Sequence, residues 1–293
     1  MFDPAQLQAL SAVLETGSFE GAARRLHVTP SAVSQRIRAL EDRAGVTLVI
    51  RSQPARATPA GLRLARHASD MSLLEDGLAR DLGLASGHRV RARIAVNADS
   101  LATWFLPALT DFPDWLFDLE IDDQDHSAGW LHRGEVQAAV TSANDRVPGC
   151  DQTPLGSLRY LATASPAFAA RWFAQGVTAQ ALGEAPALTF NAKDQLQADW
   201  VRAAVGRAVP LPSHRIASST AFLDAALLGI GWGMNPEPLV GRALADGRLV
   251  ALDAGRALDV ALVWQAARLP GDGLRPLTRA VRDAARRFLI APV

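Results

Sequence analysis

Phe19-Glu20-Gly21-Ala22-Ala23-Arg24-Arg25-Leu26-His27-Val28-Thr29-Pro30-Ser31-Ala32-Val33-Ser34-Gln35-Arg36-Ile37-Arg38-Ala39-Leu40-Glu41 is the stretch on which the fold turns. Ser18 precedes it as a helix cap, and Ala22, Ala23 and Leu26 recur on one small apolar face, so residues 18–26 read as a helix. His27-Val28 leaves room only for a tight turn. Thr29-Pro30 restarts the helix: the threonine caps it, and the proline takes the first helical position, where a missing N–H is harmless. Val33, Ile37 and Leu40 form the buried stripe of residues 29–41, and Gly45 ends the segment. Two short helices joined by so few residues have helix-turn-helix spacing, and the second helix of such a pair enters the major groove. With the apolar stripe inward, Ser31, Ser34, Gln35 and Arg38 face outward. Glutamine suits adenine, arginine suits guanine, and serine suits bases or phosphates.

The surroundings agree. Leu7, Leu10 and Leu14 mark an earlier helix stopped by Gly17. Residues 46–50 and 55–58 are short segments able to pair as a wing, with Arg51 and Arg56 beside them. Between residues 21 and 66 there are nine arginines against two acids, a local excess of seven positive charges in a chain whose formal net charge is zero. A local basic footprint is what phosphate contact requires, and Arg36, Arg51 and Arg56 fit the backbone or minor groove. A small helical bundle with a solvated basic face accounts for the charge, but not for the spacing and caps together. Thr58-Pro59 repeats the cap-plus-proline start. The helix that follows carries Leu64, Ala68, Met71, Leu78 and Leu82 on one side, a stripe that calls for a partner helix and hence for dimerisation.

Beyond residue 89 the texture changes. Val90, Ala92, Ile94 and Val96 alternate with polar positions, as do Phe117, Leu119 and Ile121. Residues 136–140 are a short apolar run, with helical patterns between. This is a βαβ arrangement with a parallel sheet, and a second unit begins near Tyr160. The expected organisation is a winged helix-turn-helix (1–57), a linker and dimerisation helix (58–83), a hinge (84–88) and an effector domain (89–293). The effector domain divides into one subdomain of about 89–160 plus 265–293 and another of about 161–264, with crossings near Leu161 and Trp264. The fold class is α+β multi-domain, the two C-terminal subdomains being α/β.

The long stretch quoted at the outset resembles the signature of LysR-type transcriptional regulators. The resemblance covers the whole chain. It implies two α/β subdomains like those of a periplasmic binding protein, operator binding as a dimer or tetramer, and a small co-inducer held between the subdomains. RNA polymerase is a further candidate partner. Within the family, residues 28–36 together with Ile121-Asp122-Asp123-Gln124-Asp125-His126-Ser127, Ser165-Pro166-Ala167-Phe168-Ala169-Ala170-Arg171 and Ser218-Ser219-Thr220-Ala221-Phe222 are similar to the arginine/lysine-responsive branch. That branch controls basic amino-acid export.

Ligands of open α/β sheets bind beyond the carboxyl ends of the strands. The first such strand ends near Asn97. A helix starting at Asp99-Ser100 would aim free N–H groups at an α-carboxylate, with Ser100 and Thr103 adding hydroxyls and Trp104 next to them; an ordinary cap role for Asp99 or Ser100 is equally compatible. Asp122, Asp123 and Asp125 at the end of the second strand suit an ammonium or guanidinium group, although a charge run alone also suits a solvated loop. Thr141, Ser142, Asn191, Ser218 and Ser219 fall at strand ends or turns and complete the candidate effector shell. Trp130, Trp232 and Trp264 read as core.

The remaining residue types exclude other classes. The histidines lack metal-ligand spacing, and there is no G-x-S-x-G elbow or P-loop, so neither an enzyme nor a cofactor is expected. The fragment Gly229-Ile230-Gly231-Trp232-Gly233 lacks the final spacing of a phosphate loop and reads as close packing. The lone Cys150 has no evident activating partner. Met1-Phe2-Asp3-Pro4 is not a signal-peptide start, and residues 223–234 are too short and glycine-broken to span a bilayer, so a soluble cytoplasmic protein without a membrane partner is expected. Three alternatives stay open: a LysR-type regulator of a different small metabolite, a solute-binding receptor with the same two-lobed fold, and a DNA binder without ligand sensing. The helix-turn-helix argues against the receptor, and the large α/β portion against the last.

Overall fold

The computed structural model describes residues 2–82, 90–121, 127–142, 146–268 and 273–291. The chain divides into two compact units. One comprises Met1–Arg93, Asp114–Asp118 and Leu269–Leu274, and the other Ile94–Pro113, Leu119–Arg268 and Arg275–Val293.

The first unit opens with three helices, α1 (Pro4–Thr16), α2 (Phe19–Leu26) and α3 (Pro30–Ala44). Each start is capped by the residue before it: Asp3 Oδ1 accepts from Ala5 N at 2.8 Å, Ser18 Oγ from Gly21 N at 2.9 Å, and Thr29 Oγ1 from Ala32 N at 3.2 Å. The turn between α2 and α3 is tight because His27 takes the left-handed conformation, with φ of 53°. Val33, Ile37 and Leu40 are buried together with Leu7, Leu10, Val13, Ala22 and Ala23.

The wing consists of β1 (Val49–Ile50) and β2 (Arg56–Ala57), paired antiparallel. It is tied to the end of α3 by Glu41, whose Oε1 accepts from Leu48 N at 2.8 Å and Val49 N at 3.2 Å. Helix α4 (Pro59–Asp81) follows, started by Thr58 Oγ1, which accepts from Gly61 N at 3.0 Å. Its stripe splits in two. Leu64, Ala68 and Met71 pack against the winged-helix core of their own chain, whereas Leu78 and Leu82 are exposed. The expected single dimerisation stripe is therefore shorter than the periodicity implied, because its first half is already covered. The hinge expected at residues 84–88 lies outside the described residues.

The main sheet contains β3 (Val90–Val96), β4 (Trp115–Ile121), β5 (Ala138–Ser142), β6 (Cys150–Ala164), β9 (Gly233–Pro236), β10 (Val250–Ala251) and β11 (Ala257–Ala267). The order is β10-β6-β11-β5-β3-β4, with β9 also paired to β6. β3 and β5 are parallel, but β11 runs antiparallel to both β5 and β6. The sheet is mixed rather than wholly parallel as expected. The difference comes from β6 and β11, of 15 and 11 residues, which form a ribbon serving two groups of elements: lobe I, around β3 and β5, and lobe II, around β9. One end of the ribbon pairs with β5, through Leu262–Ala266 of β11, and the other with β9, through Tyr160–Thr163 of β6. At the bulge in this ribbon Gly156 has φ of +114°, and a Cβ there would lie 2.2 Å from Ile290 O, so both conformation and space demand glycine.

Lobe II holds β7 (Ala187–Thr189) and β8 (Ser213–Arg215), paired parallel, with α7 (Pro166–Trp172), α8 (Ala179–Glu184), α9 (Leu196–Val205), α10 (Ser219–Leu227) and α11 (Glu237–Ala245). Trp200 and Trp232 are fully buried within it, their ring centroids 5.3 Å apart. Gly231 and Gly233 let this core close: added Cβ atoms would come within 2.8 Å of Leu188 and 2.5 Å of Phe222. In lobe I, α12 (Arg275–Phe288) lays Leu277, Val281 and Ala285 inward, and Thr278 accepts from Trp264 Nε1 at 3.0 Å.

Candidate functional site

Helix α5 (Ala98–Ser100) begins directly after β3 and runs on through a wide turn, Leu101–Phe105, and a tight one, Leu106–Leu109. Its cap position is Asn97, not Asp99 or Ser100. That shift by two residues releases the Asp99 side chain from capping and turns it to a cavity of about 430 Å³. The volume is in the range of small-molecule sites. Asn97, Ala98, Asp99 and Ser142 line it from lobe I, Tyr160, Asp259 and Val260 from the ribbon, and Phe190, Lys193, Ser219, Phe222 and Asn235 among others from lobe II.

The charge of the lining is lopsided. Asp99, Asp194, Asp199 and Asp259 face one cation, Lys193. Asp99 Oδ1 accepts from Ser219 Oγ at 2.6 Å, and its Oδ2 from Tyr160 Oη at 2.8 Å. Asp194 shapes the loop between β7 and α9, accepting from Phe190 N at 2.8 Å and Leu196 N at 3.0 Å. Asp259 is held by a two-pronged contact from Arg159, Nε to Oδ1 at 2.8 Å and Nη2 to Oδ2 at 2.9 Å. Those hydrogen bonds keep the Asp259 carboxyl below the usual carboxylate range, outweighing the opposite pull of burial. Asp199 meets Arg202 one helical turn on, at 3.3 Å. Asn235 is 1% exposed; its Nδ2 donates to Thr163 Oγ1 at 3.0 Å, while its Oδ1 has no partner among the described residues.

Of the effector residues expected from sequence, Ser142 and Ser219 line this cavity. Ser100 and Trp104 are fully buried and Thr103 donates to Asp99 O at 2.6 Å, and none of the three lines the cavity. Thr141 is buried against Gln265, accepting from its Nε2 at 2.8 Å. Asn191 accepts from Lys193 N at 2.7 Å and so shapes the loop, and Ser218 caps α10. Asp122, Asp123 and Asp125 lie outside the described residues. Sequence reading missed Asp99, Tyr160, Asp194, Asp199, Asn235 and Asp259. A signal existed for two of them: Tyr160 is the only tyrosine in the chain, and Asp259 is the one charged residue of strand β11.

On α3, Thr29, Pro30, Ser31, Gln35 and Arg38 are exposed and Ser34 and Arg36 half-buried. Thr29 is engaged in the cap and meets Ser31 Oγ at 3.0 Å. Arg51 lies over the Phe19 ring, 5.0 Å from its centroid, and Arg56 is exposed on β2. Cys150 is buried, and that burial pushes its thiol pKa up, away from the reactive thiolate. Among the described residues no group of three or more His, Cys, Asp or Glu side chains is placed to hold a metal ion, and no helix is long and apolar enough to cross a membrane.

Two family models match the chain. That for the bacterial regulatory helix-turn-helix protein of the lysR family covers residues 4–62, and that for the LysR substrate binding domain covers residues 85–289. The chain is 48% identical over 284 residues to the HTH-type transcriptional regulator LysG of Mycobacterium tuberculosis, covering 97% of this chain and 93% of that protein. Its fold is similar to the crystal structure of ArgP from M. tuberculosis, with a TM-score of 0.79 and 46% identity over the whole of both chains. It is also similar to full-length LysG from Corynebacterium glutamicum with bound effector Arg, with a TM-score of 0.66 and 36% identity, covering 99% of this chain and all of that one.

Proposed function

This chain belongs to the LysR family of bacterial helix-turn-helix transcriptional regulators, and from that membership we propose that it is a sensor of a basic amino acid, lysine or arginine, that controls an exporter gene. The observation that carries the reading is the cavity between the lobes, with four aspartates against one lysine. Such a lining favours a ligand of net positive charge, while Lys193 gives its α-carboxylate a counter-ion. The relative from C. glutamicum, whose structure holds Arg as effector, supports the same ligand class.

The division of labour follows. Residues 1–57 read operator DNA, with Ser31, Ser34, Gln35 and Arg38 on base edges and Thr29, Pro30, Arg36, Arg51 and Arg56 at the backbone. Residues 58–83 pair two subunits through the exposed end of α4. Residues 89–293 hold the amino acid, which acts by favouring one arrangement of lobes and subunits over another.

Calorimetric titration of the full chain with lysine, arginine, glutamine and glutamate tests this. Saturable binding of lysine or arginine with little of the other two is the expected result. Equal binding of all four, or none, removes the assignment of ligand class and leaves a LysR-type regulator of another metabolite.

A further inference from the structure

Asn235 stands on β9 between Met234 and Pro236, and all three residues line the cavity. Its backbone is paired with Leu161 of β6, and the proline that follows keeps residue 235 out of the helical region. The side chain is 1% exposed. Its Nδ2 donates to Thr163 Oγ1 at 3.0 Å and lies 3.5 Å from Gly233 O. A carbonyl only accepts, so the amide nitrogen has to be the atom on that side and Oδ1 the atom turned away from it. Oδ1 has no hydrogen-bond partner among the described residues. A buried amide oxygen without a donor destabilises a fold, and such groups are rare in native chains. The arrangement has a use if the oxygen is paired when a ligand fills the cavity.

The rest of the lining indicates with what. Lys193, the one lysine of the chain, is exposed and is the one cation among the described lining residues. A ligand whose α-carboxylate is held there has its α end near solvent and extends its side chain inward, towards the buried Asn235. The group that reaches Oδ1 is then the end of the side chain, and a lone acceptor calls for an N–H. An amide suits this place better than a carboxylate. It presents an acceptor in the ligand-free chain without burying an unpaired charge, and it accepts from an ammonium or a guanidinium alike.

We propose that Asn235 is a specificity-determining residue of the cavity, its Oδ1 accepting a hydrogen bond from the terminal ammonium or guanidinium of the bound amino acid. The inference rests on the reading of the cavity as an amino-acid site. It divides the selection in two. The aspartates favour positive charge through the field they set up in the cavity, whereas Asn235 requires an N–H donor at one position.

The test uses the full chain with arginine, lysine and norvaline, the last sharing their α groups and first methylenes but ending in a methyl. Calorimetry gives the affinities for arginine and lysine, and thermal melts give the Tm without ligand and its shift at high norvaline concentration. Asn235→Leu removes the acceptor at similar volume. It is expected to weaken arginine and lysine about tenfold or more, to leave the norvaline shift as it is, and not to lower the Tm of the ligand-free chain, because an oxygen without a donor gives way to apolar surface. Asn235→Asp keeps an acceptor oxygen in place, and the Thr163 hydroxyl can turn to donate to it, so arginine and lysine should bind at least as tightly as to the unaltered chain. Unchanged arginine and lysine affinity in Asn235→Leu overturns the proposal. So does a loss shared by norvaline together with a lower Tm, which would make Asn235 a scaffold for Thr163, and so does a loss in Asn235→Asp as large as that in Asn235→Leu. An unaltered chain that binds neither lysine nor arginine removes the amino-acid reading and this inference with it. An unaltered chain that binds them no better than Asn235→Leu does removes the inference alone.

Discussion

Gln35 and Arg38 stand exposed on α3 because Val33, Ile37 and Leu40 are turned into the core. Replacing either by Ala is expected to weaken operator binding by roughly 1–3 kcal/mol and to relax base preference at one position. Anisotropy titrations on operator and scrambled duplexes check this; equal losses on both would mean that the side chains touch only phosphate. A second expectation concerns Asp259. Its pKa is lowered in the folded chain, chiefly by hydrogen bonds from Arg159, so its stabilising contribution is fully present above the unfolded-state pKa. That contribution disappears only as pH falls through the lowered folded value. Between neutrality and about pH 5 the Asp259→Asn variant should therefore show a constant stability difference from the parent chain in thermal melts. The difference should narrow only in stronger acid.

The helix-turn-helix and the outward face of α3 were legible in the sequence because local chemistry decides them: a cap, a proline and a helical period lie within 23 residues of one another. Of the cavity lining the sequence reading named only Ser142 and Ser219, because its members converge from both lobes and the ribbon. Asp99 and Ser219 are 120 positions apart, and no local pattern marks such a meeting. The sequence placed the helix start at Asp99-Ser100 and left a cap role for Asp99 open, two residues late. The helix begins at Asn97, and a two-residue shift exchanges a structural carboxylate for one that faces the ligand space.

At the scale of elements, the three N-terminal helices and the wing follow their sequence signals closely, whereas the sheet does not. Alternating strand and helix patterns suggested parallel pairing. The antiparallel ribbon of β6 and β11 pairs residues about a hundred positions apart, such as Arg159 with Asp259, and strand composition alone does not encode which neighbour is chosen. The stripe on α4 was seen correctly as apolar, but half of it meets its own chain. Gly61 explains how α4 comes so near the wing: a Cβ there would lie 2.0 Å from Leu48 O, which is backbone and has nowhere to go. Gly61→Ala is expected to lose roughly 1–3 kcal/mol despite its better helix propensity, measured as a lower Tm and weaker operator binding. A gain in Tm would show that α4 does not rest on the wing as described.

At the scale of the molecule, the exposed apolar end of α4 and the cavity have to communicate if the amino acid is to control DNA binding. Leu78 is 60% exposed and Leu82 63%, and two adjacent exposed leucines on a helix end are an interface in waiting. Leu78→Asp is expected to shift the chain towards monomer in sedimentation and to weaken binding to two-fold symmetric sites far more than to single half-sites. Unchanged sedimentation would move the subunit interface elsewhere.

A basic amino acid bound in the cavity is expected to alter how the chain engages its operator. The most direct measurement is operator affinity and footprint of the full chain, on a duplex selected from a random pool, with and without arginine, lysine, citrulline or glutamate. Arginine or lysine is expected to change the affinity by roughly fivefold or more, or to change the protected length, with citrulline and glutamate inert. Identical isotherms and footprints under all these conditions would contradict the account.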